Sequence, residues 1–262
     1  MQKISLAIPT YFSSRYLSVL LKSLIKSEII NEIIISEDSN QVNEVKKVKS
    51  VVQKFKNKNR NIKIEIYENL KTIGAFNNKY EAISKCSNDI VYQIDSDNIP
   101  AKKIDNKIIK VVENFDKDII YYPSSLRQFF KNYQYYFYQN KNTVNLSKES
   151  KKIDSSIVSD ALINQKQITI DKNIFWILNC GNFIVSREKY INTMKEYYKN
   201  EEIPLAADAL AISYLWLKSG NKILLQEGMH HYHRKRQDSV SLTLRDESEE
   251  SFSFFREKFK SL

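Results

Sequence analysis

The first 123 residues alternate between short apolar runs and longer segments whose apolar residues recur at helical spacing. The runs predict strands at 3–9, 31–38, 62–68, 89–95 and 118–123, and the segments between them predict helices at 14–27, 42–55, 75–86 and 102–115. Strands and helices in strict alternation favour a doubly wound, mostly parallel sheet with helices on both faces. We therefore predict an α/β fold.

The second half of the chain departs from this alternation. Residues 125–142 are dense in Tyr and Phe, and the sequence then stays polar to 172, so we predict an irregular or partly helical insertion over 124–172. Its aromatic residues form either an ordinary packed insert or an acceptor or oligomer surface. Beyond it the pattern predicts helices at 187–199 and 205–220, a strand at 221–228 and an amphipathic helix in the tail, 245–262.

Composition excludes several classes of protein. No apolar run approaches the ~18 residues of a membrane span, and the N-terminus lacks the features of a signal peptide. Cys86 and Cys180 lie far apart, which indicates a reducing cytoplasm and neither a disulfide framework nor a cysteine zinc site. The net charge is +10, but the lysines are scattered and no RNA-binding motif accompanies them, so we expect no nucleic-acid partner. The four glycines are all separated, which excludes a Walker A loop and a dinucleotide fingerprint.

Two carboxylates, Asp95 and Asp97, directly follow the buried strand that ends at Ile94. Residues i and i+2 of an extended chain face the same side, so both carboxylates can point into one crevice. Ligands of doubly wound sheets bind at this edge, and two adjacent carboxylates favour a cation such as Mg²⁺ or Mn²⁺. A calcium EF-hand is excluded because Pro100 stands where its loop needs glycine. The alternative is a solvated turn or helix cap before Pro100.

Two further groups carry candidate chemistry. All three histidines lie within four residues, and on a strand His231 and His233 would share one face, where imidazoles suit Mn²⁺, Zn²⁺ or iron. The alternative is an exposed histidine-rich strand. Asp208 lies among small apolar residues in PLAADAL (204–210), where it is either a capping residue or a desolvated general base.

The order of these motifs resembles glycosyltransferase family 2, the inverting enzymes with a Rossmann-like GT-A fold. The matching segments are AIPTYFSSRYLSVLLKSL (7–24), EIIISEDSN (32–40), NLKTIGAFNNKYEAI (69–83), YQIDSDNI (92–99), LNCGNFIVSREKY (178–190) and AADALAISYLWLKSG (206–220). The resemblance implies one GT-A domain over 1–244. Its parts would be a nucleotide-binding half at 1–123, the insertion at 124–172, and an acceptor and catalytic half at 173–244.

The resemblance implies a UDP-sugar as the sugar donor. The residues that it implies around that donor are Pro9, Thr10, Tyr11, Asp38, Gly74, Lys79, Asp95 and Ser96. Asp38 would accept a hydrogen bond from the uracil N–H, and Gly74 would open the helix beside the donor. Lys79 would lie near the base or the diphosphate.

The resemblance also implies a metal site and a general base. Asp97 would hold Mn²⁺ or Mg²⁺, Asp95 would face the ribose or a metal-bound water, and His231 or His233 would complete the metal shell. Asp208 would be the base.

Three positions depart from the family pattern. Ala207 stands where an acidic residue often precedes the base, and Tyr80 stands where the helix often carries Asn. The second strand ends Glu-Asp-Ser-Asn (37–40) instead of Asp-Asp-Gly-Ser.

From these observations we predict a metal-dependent inverting glycosyltransferase that acts on a glycan, glycolipid or other hydroxyl acceptor, in surface polysaccharide or glycolipid assembly. Contact with a membrane surface or a second copy of the chain is also expected for the tail or the insertion. Two alternatives stay open. One is a non-catalytic nucleotide-sugar-binding module, and the other is a sugar nucleotidyltransferase, which would typically want a glycine-rich phosphate loop.

Overall fold

A computed structural model of the chain describes residues 2–24, 27–59, 61–100, 104–129, 143–163, 174–199, 207–234 and 245–262. The strands are β1 Ile4–Thr10, β2 Ile30–Glu37, β3 Lys63–Glu68, β4 Ile90–Gln93, β5 Ile99–Pro100, β6 Ile119–Phe129, β7 Thr143–Asn145, β8 Lys151–Ile153, β9 Phe183–Ser186 and β10 Lys222–Arg234. The helices are α1 Ser14–Ser23, α2 Val42–Lys56, α3 Ala75–Ser84, α4 Ile104–Glu113, α5 Ser155–Ile163, α6 Ile174–Leu178, α7 Arg187–Met194, α8 Asp208–Lys218 and α9 Arg245–Lys260.

The described strands form one sheet in the order β3-β2-β1-β4-β9-β6-β10-β5, with β7 beside β6 and β8 beside β10. Strands β3, β2, β1 and β4 are parallel, and so are β6 and β10. Between these groups β9 runs antiparallel to β4 and to β6. The predicted α/β fold with a mostly parallel sheet is therefore confirmed, and β9 is a strand that the sequence analysis did not assign.

The sheet is buried on both faces because its strands alternate their apolar side chains between two layers. Along β1, Leu6 and Ile8 pack with α1, α2 and α4, whereas Ala7 packs with α3 and the helices α5 to α9. Continuous apolar runs are what a strand covered on both faces requires. The predicted helices and strands of residues 1–123 therefore all appear, with ends that differ by a few residues.

The predicted insertion begins inside the sheet. Residues 124–129 were expected to be irregular or helical, which is wrong, because they continue β6 and pair with the extension of β10. Residues 155–163 do form a helix, α5. The aromatic-rich stretch 130–142 lies outside the described residues.

The C-terminal tail forms the amphipathic helix α9, as predicted, and it lies on the domain. Phe255 and Phe259 are buried, and both rings contact Tyr214 of α8, at centroid distances of 6.0 and 5.6 Å. The apolar face of the tail is thus used within the chain. None of the helices in the described ranges is long and apolar enough to cross a membrane.

Candidate active site

Three neighbouring parallel strands end at one edge of the sheet, where the candidate residues gather. Thr10 ends β1, Glu37 ends β2, and Asp95 follows β4 by two residues. Because β1 lies between β2 and β4, their carboxyl ends enclose one crevice. Helices α3 and α8 pack against each other beside it and contribute one charged side chain each.

Lys79 of α3 joins the carboxylates from two other elements. Its Nζ lies 3.0 Å from Asp95 Oδ1 and 2.5 Å from Asp208 Oδ2, and its side chain is only 5% exposed. Burial alone would lower the pKa of Lys79, but the charges of Asp208 and Asp95 outweigh it and raise the pKa above its ordinary value. The ammonium is therefore charged, and it brings the candidate base to the D-x-D motif.

Asp95 is under opposing electrostatic influences. Burial raises its pKa and Lys79 lowers it, while Asp208 and Asp97 raise it again, with a net pKa above the ordinary value. The negative charges of Asp208 and Asp97 thus both act on Asp95. A divalent cation at Asp95 would relieve this repulsion.

Gly181 and Asn182, which lead into β9, shape the wall beside Asp95. A Cβ at residue 181 would come within 3.0 Å of Asp95 Oδ2 and would sit 3.0 Å from Lys79 Nζ. Asn182 Oδ1 accepts a hydrogen bond from the Asp95 backbone N–H at 3.0 Å. The sequence analysis gave these two residues no role. The available signal was a glycine at the start of an apolar strand, which indicates close approach of another group.

Asp38 is 2% exposed and organises the loop before α3. Its carboxylate accepts hydrogen bonds from Asn69 Nδ2 at 2.9 Å and from the backbone N–H groups of Ile73 and Gly74 at 2.9 and 3.0 Å. Burial outweighs these bonds and raises the pKa of Asp38. Gly74 is the N-cap of α3 and has φ of 84°, a conformation that favours glycine. The loop thus fixes the start of α3 and, through the helix, the position of Lys79.

The end of β1 is tied to its neighbours by hydroxyl groups. Thr10 Oγ1 donates to Glu37 Oε2 at 2.5 Å, and Ser96 Oγ lies 2.6 Å from Ser13 Oγ. The Ser13–Ser96 contact joins the loop after β1 to the D-x-D motif. The half-buried Pro9 precedes this loop.

Two aromatic rings project from the same loop. Tyr11 and Phe12 are each 45% exposed, and their rings meet edge to face at a centroid distance of 4.8 Å. Phe12 has φ of 46°, a strained conformation for a bulky residue. Such strain is concentrated at functional sites. Phe12 was not singled out from the sequence, because backbone strain leaves no mark on composition.

The strand that carries the histidines runs beside the D-x-D motif. His231 and Tyr232 pair with Pro100 and Ile99 of β5, and the Arg234 backbone N–H donates to Asn98 Oδ1 at 3.2 Å. Arg234 Nε also donates to the Asp97 carbonyl at 3.1 Å. The half-buried His233 lies in this strand, and the side chain of His231 falls outside the described residues.

Within the described residues no group of three or more His, Cys, Asp or Glu side chains is assembled for a metal ion. Mg²⁺ and Mn²⁺ sites commonly use one or two protein carboxylates together with substrate phosphates. Asp97 with Asp95 fits that smaller donor set. The histidines as further ligands stay a prediction.

Comparison with known proteins fits this architecture. The family model described as "Glycosyl transferase family 2" matches residues 5–190, well over half of the chain. The chain belongs to glycosyl transferase family 2. The predicted resemblance is therefore confirmed. A search of the curated proteins finds no match.

Solved structures with the same fold include two that hold a nucleotide-sugar. One is S. aureus TarS 1-349 in complex with UDP-GlcNAc, with a TM-score of 0.59 and 17% identity over 92% of this chain and 61% of that one. Another is the mannosyltransferase PcManGT from Pyrobaculum calidifontis in complex with GDP-Man and Mn²⁺, with a TM-score of 0.56 and 12% identity over 93% and 60% of the two chains. The chain thus spans about three fifths of the length of these neighbours. At this identity the likeness shows the GT-A fold.

Two departures from the family 2 pattern have a structural account. Ala207, where an acidic residue often precedes the base, is fully buried in the core beside α8. Tyr80, where Asn is common, stacks on Tyr198 at a centroid distance of 4.3 Å. Tyr80 therefore helps to hold the segment after α7 on α3.

Proposed function

We propose that this chain transfers a sugar from a nucleotide-sugar, most simply a UDP-sugar, to a hydroxyl group of a glycan or glycolipid acceptor, with inversion at the anomeric carbon. One observation carries the proposal. Lys79 contacts both Asp95, in the D-x-D motif, and Asp208, the candidate base. A carboxylate that can accept a proton, Asp208, therefore contacts the same ammonium as Asp95, a carboxylate of the motif that suits a metal ion.

The reaction requires three tasks. Asp208 accepts the proton of the acceptor hydroxyl, and the freed oxygen electron pair forms the new bond to the anomeric carbon. The bond from that carbon to the diphosphate oxygen breaks on the opposite face, and the nucleoside diphosphate leaves with the bonding electrons. The acceptor must be held within hydrogen-bond reach of Asp208, which is 20% exposed in its side chain and so accessible to a bound hydroxyl.

Asp97 would hold Mn²⁺ or Mg²⁺, with Asp95 beside it. When bound, the cation would stabilise the negative charge of the departing diphosphate. His231 or His233 as a third ligand is part of the proposal, supported by the pairing of their strand with β5 next to the D-x-D motif.

Tyr11, Thr10 and Pro9 would line the nucleotide pocket. The exposed ring of Tyr11 supports a role in stacking on the nucleotide base, because aromatic rings stack on one another. A direct bond from the uracil N–H to Asp38 stays a prediction. The Asp38 carboxylate already accepts three hydrogen bonds, and these order the loop that ends at Gly74.

The non-catalytic alternative would be favoured if Asp208 lay far from the D-x-D motif with no other carboxylate nearby. Its 2.5 Å contact to the lysine that also binds Asp95 supports the catalytic reading. Against a nucleotidyltransferase, the loop after β1 in the sequence TYFSSRY has no glycine. Acceptor identity, membrane-surface contact and self-association stay predictions.

The experiment is a thermal-shift series with UDP, GDP and their sugar conjugates, with and without Mn²⁺, on the wild type and on Asp97→Ala. Binding raises the unfolding temperature as ligand concentration exceeds Kd. We expect a shift with UDP that requires Mn²⁺ and disappears in Asp97→Ala. Release of UDP upon adding acceptor, with the product's anomeric configuration read by NMR, then tests transfer. No shift with any nucleotide would contradict the proposal.

A further inference from the structure

The Lys79 ammonium is enclosed by protein. It lies between Asp95 and Asp208, and a Cβ at residue 181 would stand 3.0 Å from it. Other residues of α3, Asn78, Ala82 and Ile83, are buried as well. A lysine that served mainly as a surface anchor for phosphate would present its charge to the cleft, whereas this side chain is only 5% exposed.

The two ion pairs connect three separate parts of the chain. Lys79 belongs to α3, Asp95 follows β4, and Asp208 is the first residue of α8. The helix N-cap before Asp208 is Ala207, whose side chain has no polar group to hold the Asp208 carboxylate. That carboxylate contacts Lys79 Nζ at 2.5 Å.

We infer that Lys79 is a positioning residue, which holds the base Asp208 in line with the D-x-D carboxylate Asp95 and does not bind the sugar donor. The inference rests on the proposed function for the role of Asp208. It differs from the expectation, implied by the family resemblance, that Lys79 lies against the base or diphosphate of the nucleotide.

The physical reason is the small tolerance of proton transfer. A base must lie within hydrogen-bond reach of its proton, and a displacement of about 1 Å costs on the order of 10²-fold in rate. Without the ammonium, Asp95 and Asp208 would repel each other and move apart. The Lys79 ammonium has three N–H groups, and two of them contact these carboxylates. The side chain is therefore already held in place before a nucleotide-sugar binds.

The test compares the wild type with Lys79→Met, and with Lys85→Met as the matched control. Lys85 lies at the end of the same helix, and its side chain is 46% exposed. Calorimetry with UDP and Mn²⁺ gives the Kd for the nucleotide part of the donor, called here the donor Kd. Steady-state assays give kcat and KM for transfer to the acceptor. We expect Lys79→Met to lower kcat by roughly 10²-fold and to raise the Kd for UDP with Mn²⁺ by a much smaller factor. Lys85→Met should match the wild type in both.

A double substitution makes the test specific. If Lys79 acts through Asp208, adding Lys79→Met to Asp208→Asn lowers the rate no further, because the base is already gone. Multiplying losses would overturn the inference. So would a donor Kd that rises by the same factor as kcat/KM falls, since that result makes Lys79 a donor ligand.

A stability measurement separates this inference from the proposed function. Should the wild type bind no nucleotide-sugar, the proposed function fails, while the ion triad is still testable by urea unfolding. Lys79→Met leaves two carboxylates without their cation and should lower the unfolding midpoint. The triple variant, which adds Asp95→Asn and Asp208→Asn to Lys79→Met, should restore that midpoint. A midpoint that does not recover would show that the ammonium does not hold these carboxylates.

Discussion

The two edges of the sheet surround a buried carboxylate in different ways, as shown by Glu32 near the start of β2 and Asp38 directly after its end. Glu32, near the amino end of β2, is 1% exposed. It accepts hydrogen bonds from Ser5 Oγ, from the Ser87 N–H at 2.7 Å, from Ser87 Oγ at 2.8 Å and from Lys63 at 3.2 Å. Burial would raise the pKa of Glu32, but these bonds outweigh it and lower the pKa.

At the carboxyl edge the balance is reversed. Asp38 and Asp95 both have pKa values above the ordinary value, because burial and neighbouring carboxylates outweigh their hydrogen bonds and Lys79. A carboxylate whose hydrogen bonds and ion pairs compensate for its burial stabilises the fold. One whose partners do not compensate for its burial is stabilised further when it binds a cation or a proton. The comparison therefore separates an edge where hydrogen bonds match the buried carboxylate from the edge that carries the candidate site, and we make different predictions for each.

The largest effect is expected for Asp208→Asn, which keeps the shape of the base but removes its proton affinity. Transfer should fall roughly 10² to 10⁴-fold, because that is what general base catalysis contributes, while the Kd for UDP with Mn²⁺ stays near the wild-type value. The measurement is product formation under saturating donor and acceptor.

Asp118→Asn is the control for that substitution. Asp118 lies just before β6, at the amino edge, where its 52% exposed side chain pairs with Lys189 at 2.7 Å. The same chemical change at this edge should leave transfer unchanged. Equal losses in the two variants would break the distinction between the edges.

Gly181→Ala should produce the next largest effect. The added Cβ must displace the Asp95 carboxylate or Lys79 Nζ, so transfer should fall on the order of 10²-fold. Gly220→Ala is the opposite case. Gly220 has φ of +77° after α8 and open space around it, so the change should cost about 1 kcal/mol of stability without reducing transfer. Transfer activity and the urea unfolding midpoint should be measured for both variants. A loss of transfer in Gly181→Ala but not in Gly220→Ala would show that the effect comes from the contact with Asp95 and Lys79.

These positions also show how far the sequence could lead. The fold followed from periodicity, because strands buried on both faces carry continuous apolar runs such as those of β1 and β2. Asp95, Asp97 and Asp208 followed from their positions in motifs. The Lys79 bridge could not be foreseen, since it joins side chains 16 and 129 positions apart and depends on how α3 packs on α8.

Other features were hidden for different reasons. The strand at 124–129 was missed because its polar and aromatic residues gain their regular structure from pairing with β10 rather than from their own pattern. Glu32 was read as part of an apolar strand, and its network with Ser5 and Ser87 needed the registers of three strands. Contacts between distant segments are what a single sequence leaves undetermined.

Glu32→Gln should reduce stability at the amino edge and leave the site intact. Loss of the charge that Ser5, Ser87 and Lys63 match should lower the free energy of unfolding at pH 7 by about 1–3 kcal/mol, with kcat unchanged. The sign with pH is fixed by the lowered pKa. The contribution of the carboxylate is present above the unfolded-state pKa and is lost as the pH falls through the folded-state value. Urea unfolding at pH 7 and at about pH 3 should therefore show the gap between wild type and variant closing in acid.

The smallest effect is expected for Lys63→Met, which sharpens the account of why Glu32 is stable. Lys63 is 55% exposed and also pairs with Glu65 at 3.1 Å, so its attraction to Glu32 is screened by water. The serine hydroxyl groups and the Ser87 N–H hold the carboxylate inside the protein, and they remain in this variant. The unfolding midpoint in urea should thus match that of the wild type, and Ser87→Ala should lower it. A loss in Lys63→Met as large as that in Glu32→Gln would mean that the amino edge, like the crevice at Lys79, depends on one ammonium.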